Sequence, residues 1–119
     1  MASGWCMAGR ALPERAVAAL RDAFAGEVAA RLPGMQSACA EVLATGAVDA
    51  ARTLVTHAHT LASSAAVLGE SLASRHARHC EETLLPCLSG ESVPADVAAA
   101  AAADVETVSL LLAPWLGAA

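Results

Sequence analysis

Two histidines and several small hydroxyl residues interrupt an otherwise apolar stretch between residues 56 and 71. The stretch reads THAHTLASSAAVLGES and contains His57 and His59, with three serines, two threonines and one glycine. An imidazole ring can act as a nucleophile, carry a proton or bind a metal ion. Which of these chemistries is open to each ring depends on where the surrounding element points it.

The composition indicates that this element is a helix. The chain has 119 residues, of which 56% are hydrophobic, and it contains one Phe and no Tyr. Alanine is abundant, and it is the best helix former because it loses no side-chain entropy. We predict an all-α protein, an up-and-down four-helix bundle with an additional N-terminal helical segment. Residues 1–11 are expected to be a flexible lead, and residues 12–119 a single helical domain.

Apolar spacing and helix breakers divide the chain into elements. Apolar residues recur every three or four positions from Val17 to Leu43, interrupted by Pro33 and the glycine after it. This pattern favours one long helix kinked near Pro33 over two helices joined there, with Gly46 ending it. Further helices are predicted at about 47–68 and 70–85. The last helix should be capped by Ser92 and stop before Pro114.

The second of these helices turns its two histidines in different directions. At 100° per residue, one continuous apolar seam packs into the bundle. His59 lies roughly 130° from the centre of that seam and should face solvent, whereas His57 lies roughly 70° away, on the flank. The seam comprises Ala47, Ala51, Leu54, Ala58, Leu61, Ala65 and Leu68.

Residues around His59 on the predicted outer face are mostly small. Neighbours on a helix surface lie three, four or seven positions apart. They are Arg52, Val55, Thr56, Ala62, Ser63 and Ala66. Such a surface leaves the imidazole accessible to another protein. The alternative is that an alanine-rich chain fills its surface with small residues and His59 has no role; periodicity leaves both interpretations open.

The segment AHTLASSAAVLG resembles the signature of the histidine-containing phosphotransfer (HPt) domain family. That signature reads His, any residue, Leu, Lys, Gly, Ser and, four positions on, Leu-Gly. His59 matches the phosphorylated histidine, Leu61 the leucine, Ser64 the serine, and Leu68 and Gly69 the closing pair. The later segment HARHCEE is similar to the family's segment with a Cys before an acid.

Two positions depart from the family pattern. Ala62 replaces the lysine that, in the family, sits beside the phosphoryl group, and Ser63 replaces a glycine that keeps the helix surface low. Arg52 or a residue of the next helix is a candidate replacement for the missing charge. Ser63 or Thr56 is a candidate hydrogen-bond donor. We predict that Ala62→Lys raises the rate or lifetime of phosphorylation.

The resemblance implies a carrier in a phosphorelay. His59 would accept a phosphoryl group from an aspartate of a response-regulator receiver domain and pass it to a second receiver, with a hybrid histidine kinase upstream. The chain would need no cofactor of its own, because the receiver domain would supply Mg²⁺. It would be a carrier rather than an autonomous enzyme, without an ATP site. An alternative within the same family is a phosphorylation-dead docking or inhibitory module.

Two other chemistries are open to the histidines. His76, His79 and Cys80 share a helix face at i, i+3 and i+4 and are plausible metal ligands, although a fourth ligand is not evident and no metal site is predicted. A serine nucleophile beside His59 would need a carboxylate to orient the ring, and no carboxylate lies nearby in the sequence. We expect the serines to be packing or hydrogen-bonding residues.

Charge and hydropathy bound the partners and the compartment. The formal net charge is −5 and the seven cationic residues are spread along the chain, so no nucleic-acid partner is expected. No apolar run approaches the roughly 20 residues that span a bilayer. With no recognisable export signal, a cytoplasmic monomer with reduced cysteines is the expectation.

Overall fold

The computed structural model of the chain describes residues 12–117, and these form four α-helices without any strand. The helices are α1 (Glu14–Thr45), α2 (Val48–Val67), α3 (Ser71–Leu84) and α4 (Ala95–Leu116), with a short 3-10 turn at Leu85–Cys87 after α3. The predicted all-α class is confirmed. The lead predicted for residues 1–11 lies outside the described residues.

The four helices pack side by side in chain order, and the last also packs against the first. Two contacts between α1 and α4 show their relative direction. Beside the end of α1, the Val93 N–H just before α4 donates to the Gly46 carbonyl at 2.8 Å. Towards the start of α1, Phe24 meets Trp115 near the end of α4. The two helices are therefore antiparallel, and the predicted up-and-down bundle is confirmed.

The first helix continues through Pro33 as a single element. One long helix, rather than two, is therefore the correct interpretation of this segment. The additional N-terminal helical segment expected from the sequence corresponds to the first turns of α1, where Val17 and Leu20 are exposed. Gly34 has a specific use, because a Cβ there would lie 2.6 Å from Nε2 of His57. The glycine lets the His57 ring lie against the backbone of α1.

Gly46 ends α1 as predicted, for two physical reasons. Its φ of 67° is left-handed, and its N–H donates to the Val42 carbonyl at 2.8 Å. A Cβ at this position would also lie 3.1 Å from the Val93 carbonyl oxygen. Glycine both adopts this dihedral angle without strain and leaves room for the loop before α4.

The predicted seam of α2 forms the centre of the core. Its two end residues, Ala47 and Leu68, are only partly buried. The five residues between them are fully buried: Ala51, Leu54, Ala58, Leu61 and Ala65. Because three of these are alanines, the backbone of α2 can approach its neighbours closely.

The start of α4 differs from the prediction. The helix begins at Ala95 with Pro94 as its N-cap, and no side chain caps it. The prediction that Ser92 caps the helix was wrong. The adjacent residue Val93 is buried and hydrogen-bonds to Gly46, so the loop is fixed by the end of α1 instead of by a serine cap.

The end of α4 also differs, because the helix continues past Pro114 to Leu116. The prediction that it stops before Pro114 was wrong. Trp115 explains the extra turn: it packs edge-on against Phe24 at 4.6 Å between ring centroids, and its indole N–H donates to Glu70 at 3.0 Å. These contacts hold the last turn against α1 and the start of α3.

α4 is also the one helix among residues 12–117 that is long and apolar enough to cross a membrane. It has 22 residues, and its most apolar window has a mean hydropathy of 1.5. The expectation that no apolar run approaches this length was therefore wrong. Length and composition do not distinguish a membrane span from a core helix, and α4 packs one face into the bundle, including the buried carboxylate of Asp104.

Candidate functional site

His59 lies on the outer side of α2, as the helical projection predicts. Ala58 and Leu61 beside it point into the core and are 0% and 1% exposed. The His59 side chain is 65% exposed. The burial of the apolar seam therefore turns this imidazole outward.

A carboxylate from α3 contacts the His59 ring. Nδ1 of His59 lies 3.0 Å from Oε2 of Glu81, whose side chain is only 16% exposed. An ionised carboxylate can only accept hydrogen bonds, so Nδ1 carries the proton in this contact. Nε2, the atom left with the lone pair in that tautomer, makes no hydrogen bond to the described residues. No carboxylate lies near His59 in the sequence, and the fold supplies one from α3.

The position of Glu81 follows from the way α3 packs on α2. Ala77, Cys80 and Leu84 of α3 are buried, which fixes the rotation of the helix about its axis. The buried hydroxyl of Ser74 donates to the Ala62 carbonyl at 2.8 Å and fixes the register. Glu81, two turns after Ser74, therefore faces α2 near His59.

Three of the predicted neighbours of His59 lie on the surface. Thr56, Ser63 and Ala66 are all exposed. The two hydroxyls are already used within the helix, because Thr56 donates to the Arg52 carbonyl at 3.1 Å and Ser63 to the His59 carbonyl at 3.1 Å. This face therefore offers small side chains and the imidazole, with its hydroxyl hydrogens directed at the backbone.

Two predicted neighbours do not lie on the outer face. Val55 is 9% exposed and Ala62 is 1% exposed. The prediction was wrong because the buried stripe of α2 is wider than the seam: α3 covers the flank that carries Ala62. A lysine at position 62 would have to enter the contact with Ser74, so it would not simply restore the family's charge.

Arg52 is exposed as predicted, but its guanidinium is engaged away from His59. It lies 3.0 Å from Asp49 and donates to the Leu88 carbonyl at 3.0 Å. These contacts tie the start of α2 to the loop after α3. Arg52 is also two turns, or about 10 Å of helix rise, from His59.

The remaining residues of the matched motif have structural positions. Leu61 is fully buried, and Ser64 and Leu68 are partly buried. Gly69 has a φ of 77°, so it adopts the left-handed conformation that ends α2 and starts the turn into α3. These four residues support the helix and its end, and His59 alone of the motif presents a reactive group.

His57 has a different environment from His59. It lies on the flank facing α1, where its Nε2 is close to Gly34, and its buried Nδ1 has no hydrogen-bond partner among residues 12–117. Burial lowers the pKa of His57, and the nearby charge of Arg31 lowers it further. His57 is therefore a packed boundary residue of the contact between α1 and α2.

A second histidine–carboxylate group joins α3 to α4. Nδ1 of His76 lies 2.9 Å from Oδ1 of Asp104, and Nδ1 of His79 contacts Oδ2 of the same carboxylate. The side chain of Asp104 is 9% exposed. Both oxygens of this buried carboxylate are thus engaged by imidazoles. Sequence reasoning missed this group. The feature that could have revealed it is Asp104, an acidic residue in the middle of an alanine-rich helix.

The alternative of a metal site at His76, His79 and Cys80 finds little geometric support. Cys80 is fully buried, and burial raises the pKa of its thiol to about 12, with Asp104, Cys39 and Glu81 adding smaller effects. A thiol with so high a pKa is a poor source of the thiolate that binds metals. Across residues 12–117, no three His, Cys, Asp or Glu side chains are arranged to hold a metal ion.

Comparison of the chain with protein-family models, with curated proteins and with solved structures gives no match.

Proposed function

We propose that this protein is a histidine phosphotransfer carrier with His59 as the phosphorylated residue. The observation that carries the proposal is the outward imidazole of His59, held at Nδ1 by Glu81 and surrounded by small side chains. A nucleophilic imidazole needs a lone pair on one ring nitrogen, an orienting group on the other, and space for the reacting partner.

The chemistry follows from the tautomer. Nε2 of His59 attacks the phosphorus of an aspartyl phosphate on a receiver domain; an N–P bond forms, the acyl O–P bond breaks, and the aspartate carboxylate leaves. The proton stays on Nδ1, where Glu81 accepts its hydrogen bond and stabilises the positive charge that develops on the ring. In the second transfer, the carboxylate of another receiver attacks phosphorus, the N–P bond breaks and the neutral imidazole returns.

The partners of such a carrier are response-regulator receiver domains, with a hybrid histidine kinase as the source of phosphate. In this scheme Mg²⁺ belongs to the receiver domain. The chain supplies the nucleophile, its orientation and a docking surface, and it acts as a carrier rather than as an autonomous enzyme.

Incubation with a receiver domain carrying labelled aspartyl phosphate tests this function. The expected result is transfer of label to the chain, stable at alkaline pH and lost in acid, as for a phosphoramidate bond. Stable binding of the receiver without transfer would replace the proposal with the docking-module alternative, for which the absence of a lysine at Ala62 is the motivation. If no receiver domain from the same cell binds the chain or transfers phosphate to it, both the carrier function and the docking-module alternative are contradicted.

A further inference from the structure

A groove with cationic walls runs along α3 beside the exposed face of α2. It has a volume of about 410 Å³, and Ala66 is its lining residue on α2. The residues that line it on α3 are Ser71, Ser74, Arg75, Arg78, His79 and Glu82. Two arginines and one glutamate therefore lie beside the surface that carries His59, in a chain whose formal net charge is −5. The histidine of this groove, His79, is engaged by Asp104.

The register of the two helices brings Arg78 level with His59. The hydroxyl of Ser74 bonds to the Ala62 carbonyl, which sets positions 74 and 62 opposite each other. In antiparallel helices, one turn forward on α3 corresponds to one turn back on α2, so Arg78 lies opposite residues 58 and 59. Glu81, three residues further along, contacts His59 at 3.0 Å, which shows that side chains of this part of α3 reach the ring.

Arg78 is also uncommitted in the fold. It is exposed, and within residues 12–117 it forms no ion pair. Arg52, the other candidate near this face, is held by Asp49 and the Leu88 carbonyl. Of these two guanidiniums, only that of Arg78 can move to a new anion without breaking an existing contact.

A phosphoryl group on His59 creates a need for positive charge. It carries about −1.5 to −2 charges near neutral pH, and it would lie near Glu81 and Glu82. Arginine binds phosphate oxygens through two parallel N–H donors. We infer that Arg78 binds the phosphoryl group on His59 and supplies from α3 the charge that the buried Ala62 cannot supply; this inference rests on the proposed function.

The test compares Arg78→Ala with Arg78→Lys, which keeps the charge, and with Arg52→Ala, which removes the same charge elsewhere. Each full-length variant is incubated with phosphoramidate, a small donor whose P–N bond breaks to release ammonia as the N–P bond to His59 forms. The rate of labelling and the half-life of the acid-labile phosphate are measured, with helicity as the control for folding. We expect Arg78→Ala to lower the rate about tenfold, with Arg78→Lys largely restoring it and Arg52→Ala close to wild type.

The possible outcomes distinguish the role of Arg78 from the proposed carrier function. If wild type and Arg78→Ala are labelled at the same rate, the role of Arg78 is overturned and the carrier function remains. A larger loss in Arg52→Ala than in Arg78→Ala would also overturn it. Failure of both phosphoramidate and a phosphorylated receiver to label wild type would remove the proposed function, and the role of Arg78 with it.

Discussion

Two imidazole–carboxylate groups flank α3, and they differ in the number of rings that each carboxylate contacts. Between α2 and α3, one exposed ring meets one carboxylate, and the second ring nitrogen of His59 stays open. Between α3 and α4, two rings meet the single carboxylate of Asp104, which is nearly buried. In both groups the carboxylate is more buried than the rings, so the difference lies in the number of rings: Glu81 holds a single imidazole, whereas Asp104 joins two imidazoles of α3 to α4.

The largest expected effect is a difference in labelling between variants of His59 and His79. His59→Gln should abolish acid-labile labelling by a phosphorylated receiver, because it removes the nucleophilic nitrogen while helicity is kept. His79→Gln is the matched control, since that side chain is 61% exposed but donates to a structural carboxylate. Autoradiography and circular dichroism report the two quantities. Equal labelling of His59→Gln and wild type would assign the phosphate to another residue.

Removing the Asp104 carboxylate, which His76 and His79 contact, should lower stability and leave phosphoryl transfer unchanged. Asp104→Asn removes a nearly buried charge that two imidazoles contact, and we expect a loss of about 2 kcal/mol in the free energy of unfolding. Urea denaturation measures the loss, and the labelling rate of the folded variant should stay within a factor of about two of wild type. A variant as stable as wild type would show that the contacts between α3 and α4 do not fasten the helices.

Removing the charge of Glu81, which contacts His59, should slow phosphoryl transfer and leave stability unchanged. Glu81→Gln keeps the size of the side chain but removes the charge that stabilises the ring during transfer, so the labelling rate should fall about tenfold, or ~1.4 kcal/mol in the barrier. The free energy of unfolding should change by less than about 0.5 kcal/mol, because glutamine can still accept the hydrogen bond and the His59 ring is exposed to water. Stopped-time labelling and urea titration separate the two effects. An unchanged rate would mean that the charge of Glu81 does not assist transfer.

The smallest expected effect is a pH dependence of stability. The hydrogen bond with Asp104, followed by the charge of Asp104, raises the pKa of His79, and Glu82 adds to this. The protonated ring therefore stabilises the fold fully below the ordinary histidine value of about 6.5, and this contribution is lost as the pH rises through the raised value.

Thermal unfolding of wild type and His79→Gln between pH ~6 and ~8 measures this contribution. Because His79 is exposed, the difference between the two proteins should shrink by less than about 1 kcal/mol as the pH rises. His76 also contacts Asp104 and remains in both proteins. A difference that grows with pH would contradict the assignment.

Much of the fold follows from periodicity in the sequence. The bounds of α2 were predicted to within one residue because its seam repeats without a break, and the exposure of His59 follows from the same seam. Gly46 was predicted because a left-handed residue at a helix end favours glycine. The end of α4 was missed because Trp115, which stabilises the turn after Pro114, bonds to residues distant in the sequence.

The site was less accessible to sequence reasoning because it depends on the rotation and register of α3. The burial of Ala62 and the approach of Glu81 both follow from the contact of Ser74 with α2. The apolar positions of α3 predict one face, but they do not specify which turn of α2 that face meets. Asp104 was missed for a related reason: a buried carboxylate is stable only with partners, and its partners lie on another helix.

Mapping the phosphate on the wild-type chain tests the central claim most directly. After labelling by a phosphorylated receiver, mass spectrometry at alkaline pH should locate the phosphate on His59, and nitrogen–phosphorus coupling in NMR spectra should assign it to Nε2. Phosphate on Nδ1 of His59 would contradict the account, because Glu81 contacts that nitrogen and leaves Nε2 open. Phosphate on His57, His76 or His79 would contradict it by assigning the transfer to a different ring.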